Sequence, residues 1–560
     1  MLNRYFLSFG AASGLLLLAT AAPARAQAPA LTTISPAANA RAVPRNAPVV
    51  ATFSQSLSAG SAGALKVFSR QRGGLRGGGS AAVAGSTLTF APVAYDFRPG
   101  ETVQYTLTTA AGGAGGALAA PRVGQFTTAV GGTGRGLFAG SVNEVFANST
   151  RTVVTGDVDG DGDQDLVTGE GVTRGVSIRF NNGNGTFASE AVVPIGETVY
   201  GAQLGDVDGD GDLDLLTLNT AASRVTVCFN TNGSFAGGRI ILGFAAAPNG
   251  LTLGDVDGDG DLDLVTAHNN QTLSISPNNG QGAYGFGSVV AVGVVPDRVV
   301  LGDVDADGDL DLVATTAGGG AVSVHSNNGA GTFGSGTLVP VGSGPVAAAL
   351  GDVDADGDLD LMTANFGSNS VSLRLNNGTG SFGGGTDLGV GSGPYDIALA
   401  DVNADGHLDL LAACYSNGFV NIGLNTGTGS FGTLSSVSVP GFCASLALAD
   451  MDGDADLDLI TANTGQGTVS LRLNGGSGPL AVSAPRLAPA ALTASPNPAT
   501  GRVRLQLPAA APAAELLDAL GRVLRTVPAT AGAATLDVAG LAPGLYVVRA
   551  AGQVARLVVE

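Results

Sequence analysis

Apolar residues in this chain come in short bursts rather than at a helical period. Runs such as DLDLVTA from Asp261 are followed by alternating segments: VSIRF from Val176, VTVCF from Val225, and VSLRL from Val371 and Val469. Alternation at period two marks a β-strand with one face turned to a core. It places Val371, Leu373 and Leu375 on one face and Ser372 and Arg374 on the other. Each alternating segment runs into a Gly/Asn turn that ends in an aromatic, as in NNGNGTF to Phe187, NNGAGTF to Phe333 and NNGTGSF to Phe382. A further short strand, such as TLVPVGSGP from Thr337, completes a unit of four antiparallel strands.

The unit recurs, and an acidic stretch stands ahead of each apolar run. These stretches are GDVDGDGDQDLV from Gly156, GDVDGDGDLDLL from Gly205, GDVDGDGDLDLV from Gly254, GDVDADGDLDLV from Gly302, GDVDADGDLDLM from Gly351, ADVNADGHLDLL from Ala400 and ADMDGDADLDLI from Ala449. Their first aspartates are spaced by 48 or 49 residues. That period points to a propeller or a solenoid, and four short strands per unit select a propeller blade. A closed ring leaves no exposed sheet edge, whereas a solenoid needs polar caps. Phe138 lies 19 residues before Asp157, as Phe187 lies 19 before Asp206, and the last repeat stops after its third strand. A strand near residues 139–146 is therefore predicted to complete the last blade.

Composition narrows the class. The chain holds 560 residues, enough for several domains, and 44% are hydrophobic, so it is no disordered acidic tail. Glycine is abundant at 88 and Trp is absent, which suits turn-rich all-β structure. The net charge of −20 argues against nucleic acid as a partner. The acid is concentrated, because 33 of the 46 acidic residues lie in the seven stretches.

With the first Asp at position one, the pattern is D-x-D-x-D-G-x-x-D, with Asn403 at position three of the sixth stretch and Ala455 at position six of the seventh. Hard Ca²⁺ takes six to eight oxygen ligands, and alternate side chains of a tight loop converge on one point. Five carboxylates so close repel one another unless a cation is present. The candidate ligands are Asp157, Asp159, Asp161, Asp163 and Asp165; Asp206, Asp208, Asp210, Asp212 and Asp214; Asp255, Asp257, Asp259, Asp261 and Asp263; Asp303, Asp305, Asp307, Asp309 and Asp311; Asp352, Asp354, Asp356, Asp358 and Asp360; Asp401, Asn403, Asp405, His407 and Asp409; and Asp450, Asp452, Asp454, Asp456 and Asp458. Position seven offers its backbone carbonyl in such a loop, and a glycine at position six permits the sharp turn. Up to seven structural Ca²⁺ ions are expected. Mg²⁺ fits less well because it favours octahedral, partly hydrated sites. The sixth loop carries less charge. The seventh, with Ala455 at position six, is expected to be the weakest, since a left-handed backbone costs a non-glycine residue about 1–2 kcal/mol.

At these residues the chain resembles the FG-GAP/VCBS repeats, the calcium-bearing blades of integrin α-subunit propellers. FG stands at Phe333-Gly334, Phe382-Gly383 and Phe431-Gly432, and GSGP at Gly342 and Gly391 is similar to the GAP element. The resemblance covers residues 138–480 and implies a seven-bladed β-propeller with Ca²⁺ in the loop between the first two strands of each blade.

The flanks read differently. Residues 1–26 form a secretory signal peptide: Arg4, an apolar run from Leu7 to Ala22, and the small-x-small site Ala24-Arg25-Ala26. The run is short for a membrane anchor, and no other segment could span a bilayer. Residues 28–130, with STLTFAP, ETVQYTLTT and QFTTAV, resemble a bacterial Ig-like β-sandwich. GGTGRG at residues 131–136 reads as a flexible linker. A Pro/Ala-rich linker at 481–494 leads to residues 495–560, which resemble the C-terminal sorting domain of the type IX secretion system through Pro496-Asn497-Pro498, Asp518, Gly521-Arg522 and Gly544-Leu545-Tyr546; Arg556 stands where that family often has Lys. This implies a small β-sandwich, outer-membrane passage by the type IX machinery, and an extracellular or cell-surface product. The expected fold class is all-β, with the propeller between two sandwiches.

Cys228, Cys414 and Cys443 are too few for a disulfide scaffold; Cys414 and Cys443 either bridge neighbouring repeats or stand as small hydrophobes. The only histidines, His268, His325 and His407, lie in different blades, with His325 at an outward strand position, and neither G-x-S-x-G nor H-E-x-x-H occurs. The reading is a secreted or surface calcium-binding adhesion or recognition module, not an enzyme, with an unknown extracellular protein or glycan as ligand. An extracellular polysaccharide-active enzyme or a lectin on the same scaffold is the alternative. Ligands would meet the rim opposite the acidic loops. Phe366, Tyr395, Tyr415 and Phe442 gather there, with Arg174, Arg224 and Arg298 in equivalent loops, although the same aromatics also suit wedging between blades.

Overall fold

Each repeat folds as a four-stranded antiparallel sheet. In the fifth, Pro345–Gly351, Asp360–Asn365 and Ser370–Asn376 pair in order, with Phe382–Gly383 and Asp387–Gly389 on the outer edge. Six other sheets repeat this order. The computed structural model describes residues 27–475 except 70, 72–73, 76–80, 93–96, 146–149, 171–174 and 237, and residues 493–559 except 496–500, 507–512, 518–521, 530–532, 543 and 551–552. The signal peptide, most of the Pro/Ala linker, Arg174, Pro496-Asn497-Pro498, Asp518 and Gly521 lie outside the described residues.

The closure strand is where the repeat arithmetic puts it. Phe138–Val145 pairs antiparallel with Thr468–Asn474, the third strand of the last blade. The cores confirm a ring, because apolar clusters form between successive blades rather than within them. One joins Val167 and Ile178 to Leu204 and Leu215, and another joins Ile460 and Leu471 of the seventh blade to Val153 and Leu166 of the first. Burying apolar area between sheets supplies the driving force at about 25 cal/mol per Å².

Because a blade is covered on both sides, its second strand is buried throughout: all six residues of Asp214–Asn219 are inaccessible. This explains the continuous apolar runs after each acidic loop. Of the polar face expected in the third strand, Arg374 is half-buried and pairs with Asp387 at 2.9 Å, and Ser372 is buried. Ser372 is 0% exposed and accepts from the Asn365 amide at 2.9 Å. His325, expected to face outward, is buried, with Nε2 2.9 Å from the Ser323 hydroxyl and Nδ1 3.0 Å from the Gly334 carbonyl.

Where the inner strands converge, small residues are required. A Cβ on Gly205 would lie 2.6 Å from Leu253 of the next blade, and one on Gly254 would lie 2.6 Å from Leu301.

The Ig-like domain consists of two four-stranded sheets closed over Val49, Phe53, Leu88, Val103, Tyr105 and Phe126. It belongs to the same compact unit as the propeller, residues 1–477. The expected flexible linker is held down: Gly131 N–H donates to Ala455 O at 3.2 Å, Thr133 N–H to Asp456 Oδ2 at 3.1 Å and Gly136 N–H to Val402 O at 2.9 Å. Glycine serves close approach here, since a Cβ on Gly132 would lie 2.0 Å from the Asp456 carboxylate. Residues 478–560 form a second unit, with a three-stranded and a four-stranded sheet around Val503, Leu505, Leu516, Val548 and Leu557. Among the described residues no helix is long and apolar enough to cross a membrane.

Candidate metal centres and the opposite mouth

The acidic loops are backbone-organised before any ion is considered. Asp206 Oδ1 accepts the Gly209 N–H at 2.7 Å and Oδ2 accepts the Gly211 N–H at 3.0 Å; Asp208 and Asp210 accept the N–H groups two residues on. The third and seventh loops repeat this pattern from Asp255 and Asp450. Such turns require left-handed backbone at two positions. Position six runs from φ +85° to +101° in six loops, and position four from +61° to +80° in all seven. Ala306, Ala355 and Ala404 occupy position four at +61° to +70°, and Ala455 at position six relaxes to +73°. The backbone cost expected for Ala455 alone is therefore shared by three other loops.

Carboxylate oxygens then converge. Asp206, Asp208 and Asp210 lie within 4.8 Å of one another, as do Asp255, Asp257 and Asp259, and Asp352, Asp354 and Asp356. In the first and fourth loops the grouping is Asp157, Asp159 and Asp165, and Asp303, Asp305 and Asp311. In the sixth loop Asn403 donates to Asp405 Oδ2 at 2.9 Å, while Asp401 accepts from Gly406 N–H at 2.9 Å. Position-seven side chains reach sideways. Asp163, Asp261, Asp309, Asp358 and His407 lie over the turn glycines Gly183, Gly280, Gly329, Gly378 and Gly427, while Asp212 and Asp456 accept the N–H groups of Asn232 and Thr133.

Position nine is a structural staple. Asp214 Oδ2 accepts Val207 N–H at 3.0 Å and Oδ1 accepts Asn230 N–H at 2.8 Å; Asp165, Asp263, Asp311, Asp360, Asp409 and Asp458 do the same. The asparagine is the functional residue that sequence reasoning missed. The amide of Asn230 donates to Leu213 O at 3.0 Å and, across the blade boundary, to Val158 O at 2.7 Å. Asn278, Asn327, Asn376, Asn425 and Asn474 each donate likewise to the preceding blade, and Asn181 donates to Met451 O. The signal was present, because these asparagines recur at the same 48–49 residue spacing inside the turn motifs.

The donor set fits a hard cation. The Oδ1 atoms of Asp303 and Asp309 are buried and accept no hydrogen bond among the described residues. Burial, with neighbouring carboxylates second, pushes Asp309 up to about 7; burial, followed by Asp307, raises Asp303 to about 6. Burial likewise raises Asp206 to about 6 and Asp255 to about 7. A divalent ion on these oxygens would offset both the desolvation and the repulsion.

The Ig-like domain sits on this face. Leu75 N–H donates to Asp206 Oδ2 at 3.0 Å, Thr106 Oγ1 to Asp255 Oδ2 at 2.6 Å and Arg41 Nη1 to Asp352 O at 3.0 Å. Val123 N–H reaches Gly308 O at 2.8 Å. Domain and loops thus share the position-one carboxylates.

The opposite end is open. Antiparallel pairing places Phe366, Tyr415 and Thr464 after the second strands beside the starts of the first strands, across each blade from the loops. A cavity of about 620 Å³ lies there, bordered by Arg151, Tyr200, Asn249, Asp297, Arg298, Phe366, Tyr395 and Tyr415. Phe366 and Tyr395 meet edge to face at 6.2 Å, Tyr395 and Tyr415 are tilted at 5.4 Å, and Tyr415 and Phe442 stack at 5.0 Å. Phe366 and Phe442 remain 40% and 46% exposed, while Tyr395 and Tyr415 between them are half-buried; Phe366, Tyr395 and Tyr415 line the cavity and Phe442 stacks on Tyr415. Arg298 pairs with Asp396 at 2.6 Å and lies 5.7 Å from the Tyr395 ring centroid. Arg224 pairs instead with Glu197.

A family model for FG-GAP-like repeats matches residues 157–217, 206–266, 255–314, 303–363, 352–412 and 401–461, more than half of the chain. The chain belongs to the FG-GAP-like repeat family. A bacterial Ig-like domain matches residues 25–128, and a secretion system C-terminal sorting domain matches residues 494–559. The sorting domain marks the protein for the type IX secretion system and for the cell surface or extracellular space. No curated protein matches the chain. Among solved structures, BBS1N in complex with ARL6DN is 16% identical over 62% of this chain and 99% of that chain, with a TM-score of 0.47. An Agrocybe aegerita lectin, described as recognising non-reducing terminal N-acetylglucosamine, is 20% identical over 74% and 96%, with a TM-score of 0.39. A putative 6-phosphogluconolactonase from Bacteroides uniformis is 14% identical over 52% and 85%, with a TM-score of 0.41.

Proposed function

We propose that this protein is a calcium-stabilised recognition module displayed outside the cell, with Ca²⁺ bound in the acidic loops and the ligand taken at the opposite mouth. One observation carries the reading: the two ends of the ring are built differently. The loop end is hydrogen-bonded internally and covered by the Ig-like domain, whereas the mouth presents exposed aromatic rings around an open cavity. The ions are structural. Bound to the native state alone, each would add about 2.7 kcal/mol at a hundredfold excess over Kd.

The hydrolase alternative draws on two carboxylates at the mouth, Asp297 and Asp396. Asp396 is committed to Arg298 and to the Leu446 N–H at 2.9 Å. Hydrolysis of a glycosidic bond ordinarily takes two available carboxyl groups, so this arrangement favours binding over turnover.

The test uses the mature full-length chain. Calorimetric titration with Ca²⁺ should give six or seven sites, with a raised melting temperature that chelator reverses. Tyr415→Ala should abolish capture of extracellular material while leaving Ca²⁺ stoichiometry unchanged. Equal capture by the variant would sink the recognition reading.

A further inference from the structure

We propose that the mouth selects a saccharide carrying a carboxylate, a uronic-acid-type glycan; the proposal rests on the recognition reading above and names its ligand class. The ring ladder from Phe366 through Tyr395 and Tyr415 to Phe442 crosses three blades; Phe366, Tyr395 and Tyr415 line the cavity, and Phe442 stacks on Tyr415. Flat apolar faces of this kind suit the C–H faces of pyranose rings.

The charges set the ligand's ionic character. Arg298 is occupied, with Asp396 against its guanidinium at 2.6 Å. Arg151 is not. Its guanidinium lies 4.9 Å from the Tyr200 ring centroid, and among the described residues it forms no ion pair. A guanidinium held by a ring face keeps its planar N–H fork for a bidentate carboxylate. Asp297 lines the same cavity, and its carboxylate accepts no hydrogen bond among the described residues. It is an acceptor for sugar hydroxyls and a source of repulsion toward a polyanion. Among the described residues, Arg151 and Arg298 at the cavity stand against Asp297 and the Asp396 paired with Arg298, a near-balanced set that suits one carboxylate among many hydroxyls. These groups act on one place: burial raises the Tyr395 phenol, Arg298 opposes the rise, Asp297 adds to it, and Arg151 again opposes it.

The experiment titrates the mature chain, saturated with Ca²⁺, with a trisaccharide carrying a single terminal glucuronate, its methyl ester and the neutral maltotriose. The acid should bind about tenfold or more tighter than the ester, the scale of a charge-assisted hydrogen-bonded pair. Arg151→Gln should remove that difference, Arg151→Lys should keep part of it, and Tyr415→Ala should weaken acid and ester alike; unchanged melting temperatures exclude misfolding as the cause. Equal affinity for acid and ester, lost in Tyr415→Ala, overturns the carboxylate class while the recognition reading stands. No binding of any of the three sugars by a chain whose Tyr415→Ala variant still loses capture of extracellular material also overturns the class alone. No effect of any mouth variant on sugar or on capture overturns both.

Discussion

The side-chain amide of Asn181 donates to the backbone carbonyl of Met451 at 2.8 Å, joining residues 270 positions apart. The same carbonyl accepts the Gly185 N–H at 2.8 Å. This is the seventh copy of a lock that ties every blade to its predecessor, and the one copy that crosses the ends of the ring.

Removing the lock takes a donor from each of two carbonyls. Asn181→Ala strands Gln164 O and leaves Met451 O with the Gly185 N–H alone, at about 1–3 kcal/mol for the group left unsatisfied. The adjacent exposed Asn182→Ala should stay within about 0.5 kcal/mol. Thermal unfolding in saturating Ca²⁺ separates the two; equal shifts would deny the lock its role.

The backbone of the acidic loops makes a second comparison. Gly211 sits at φ +98°, beyond the region that alanine tolerates, whereas Ala455 at the equivalent position lies at +73°. Gly211→Ala should destabilise by about 1–3 kcal/mol and weaken Ca²⁺ at that loop. Ala455→Gly should be nearly neutral, because relief of strain is offset by added freedom in the unfolded chain. Calorimetry on both variants checks the pair.

Without ions, the loops make stability depend on pH in an unusual direction. Burial carries Asp255 and Asp309 from 3.8 to about 7 on folding. A carboxyl with a raised native pKa favours the fold while protonated; that stability is whole below the unfolded value and is lost as pH rises through about 7. The chelated protein should therefore melt lower at pH 8 than at pH 5. Ca²⁺ prefers the ionised groups, so saturating ion should flatten or reverse the slope. A chelated protein that gains stability from pH 5 to pH 8 would contradict the buried, repelling arrangement.

The thiols give a simpler check. Cys228, Cys414 and Cys443 are free and 0% exposed, and burial raises all three, Cys414 to about 11. An aromatic disulfide reagent at pH 8 should find no reactive thiol in the native protein and three after unfolding.

Much of this was readable from repetition alone. Period, strand order and the pairing of Phe138–Val145 with Thr468–Asn474 follow from spacing, because a ring imposes the same geometry on each unit. The aromatic ladder was legible for the same reason, since equivalent loops of neighbouring blades must meet. What spacing could not show was the partner of each polar atom. Asn230 reads as a turn residue until its amide is seen reaching Val158 in another blade. Asp214 reads as one more ligand, yet both of its oxygens hold backbone. Ser372 and His325 read as outward because alternation reports two faces without saying that a neighbouring blade covers the second. The seating of the Ig-like domain on Asp206, Asp255 and Asp352 depends on contacts between segments that share no period.

The pairing that closes the ring also acts as a test of completeness. Phe138–Val145 is the first strand of the propeller region to leave the ribosome, and Thr468–Asn474 is the last. Until the last arrives, the first has no partner, and both edges stay open to solvent and to other chains. A nascent or truncated chain lacking Thr468–Asn474 is therefore chemically marked by one unpaired strand, Phe138–Val145. The intact molecule carries no such mark on its ring.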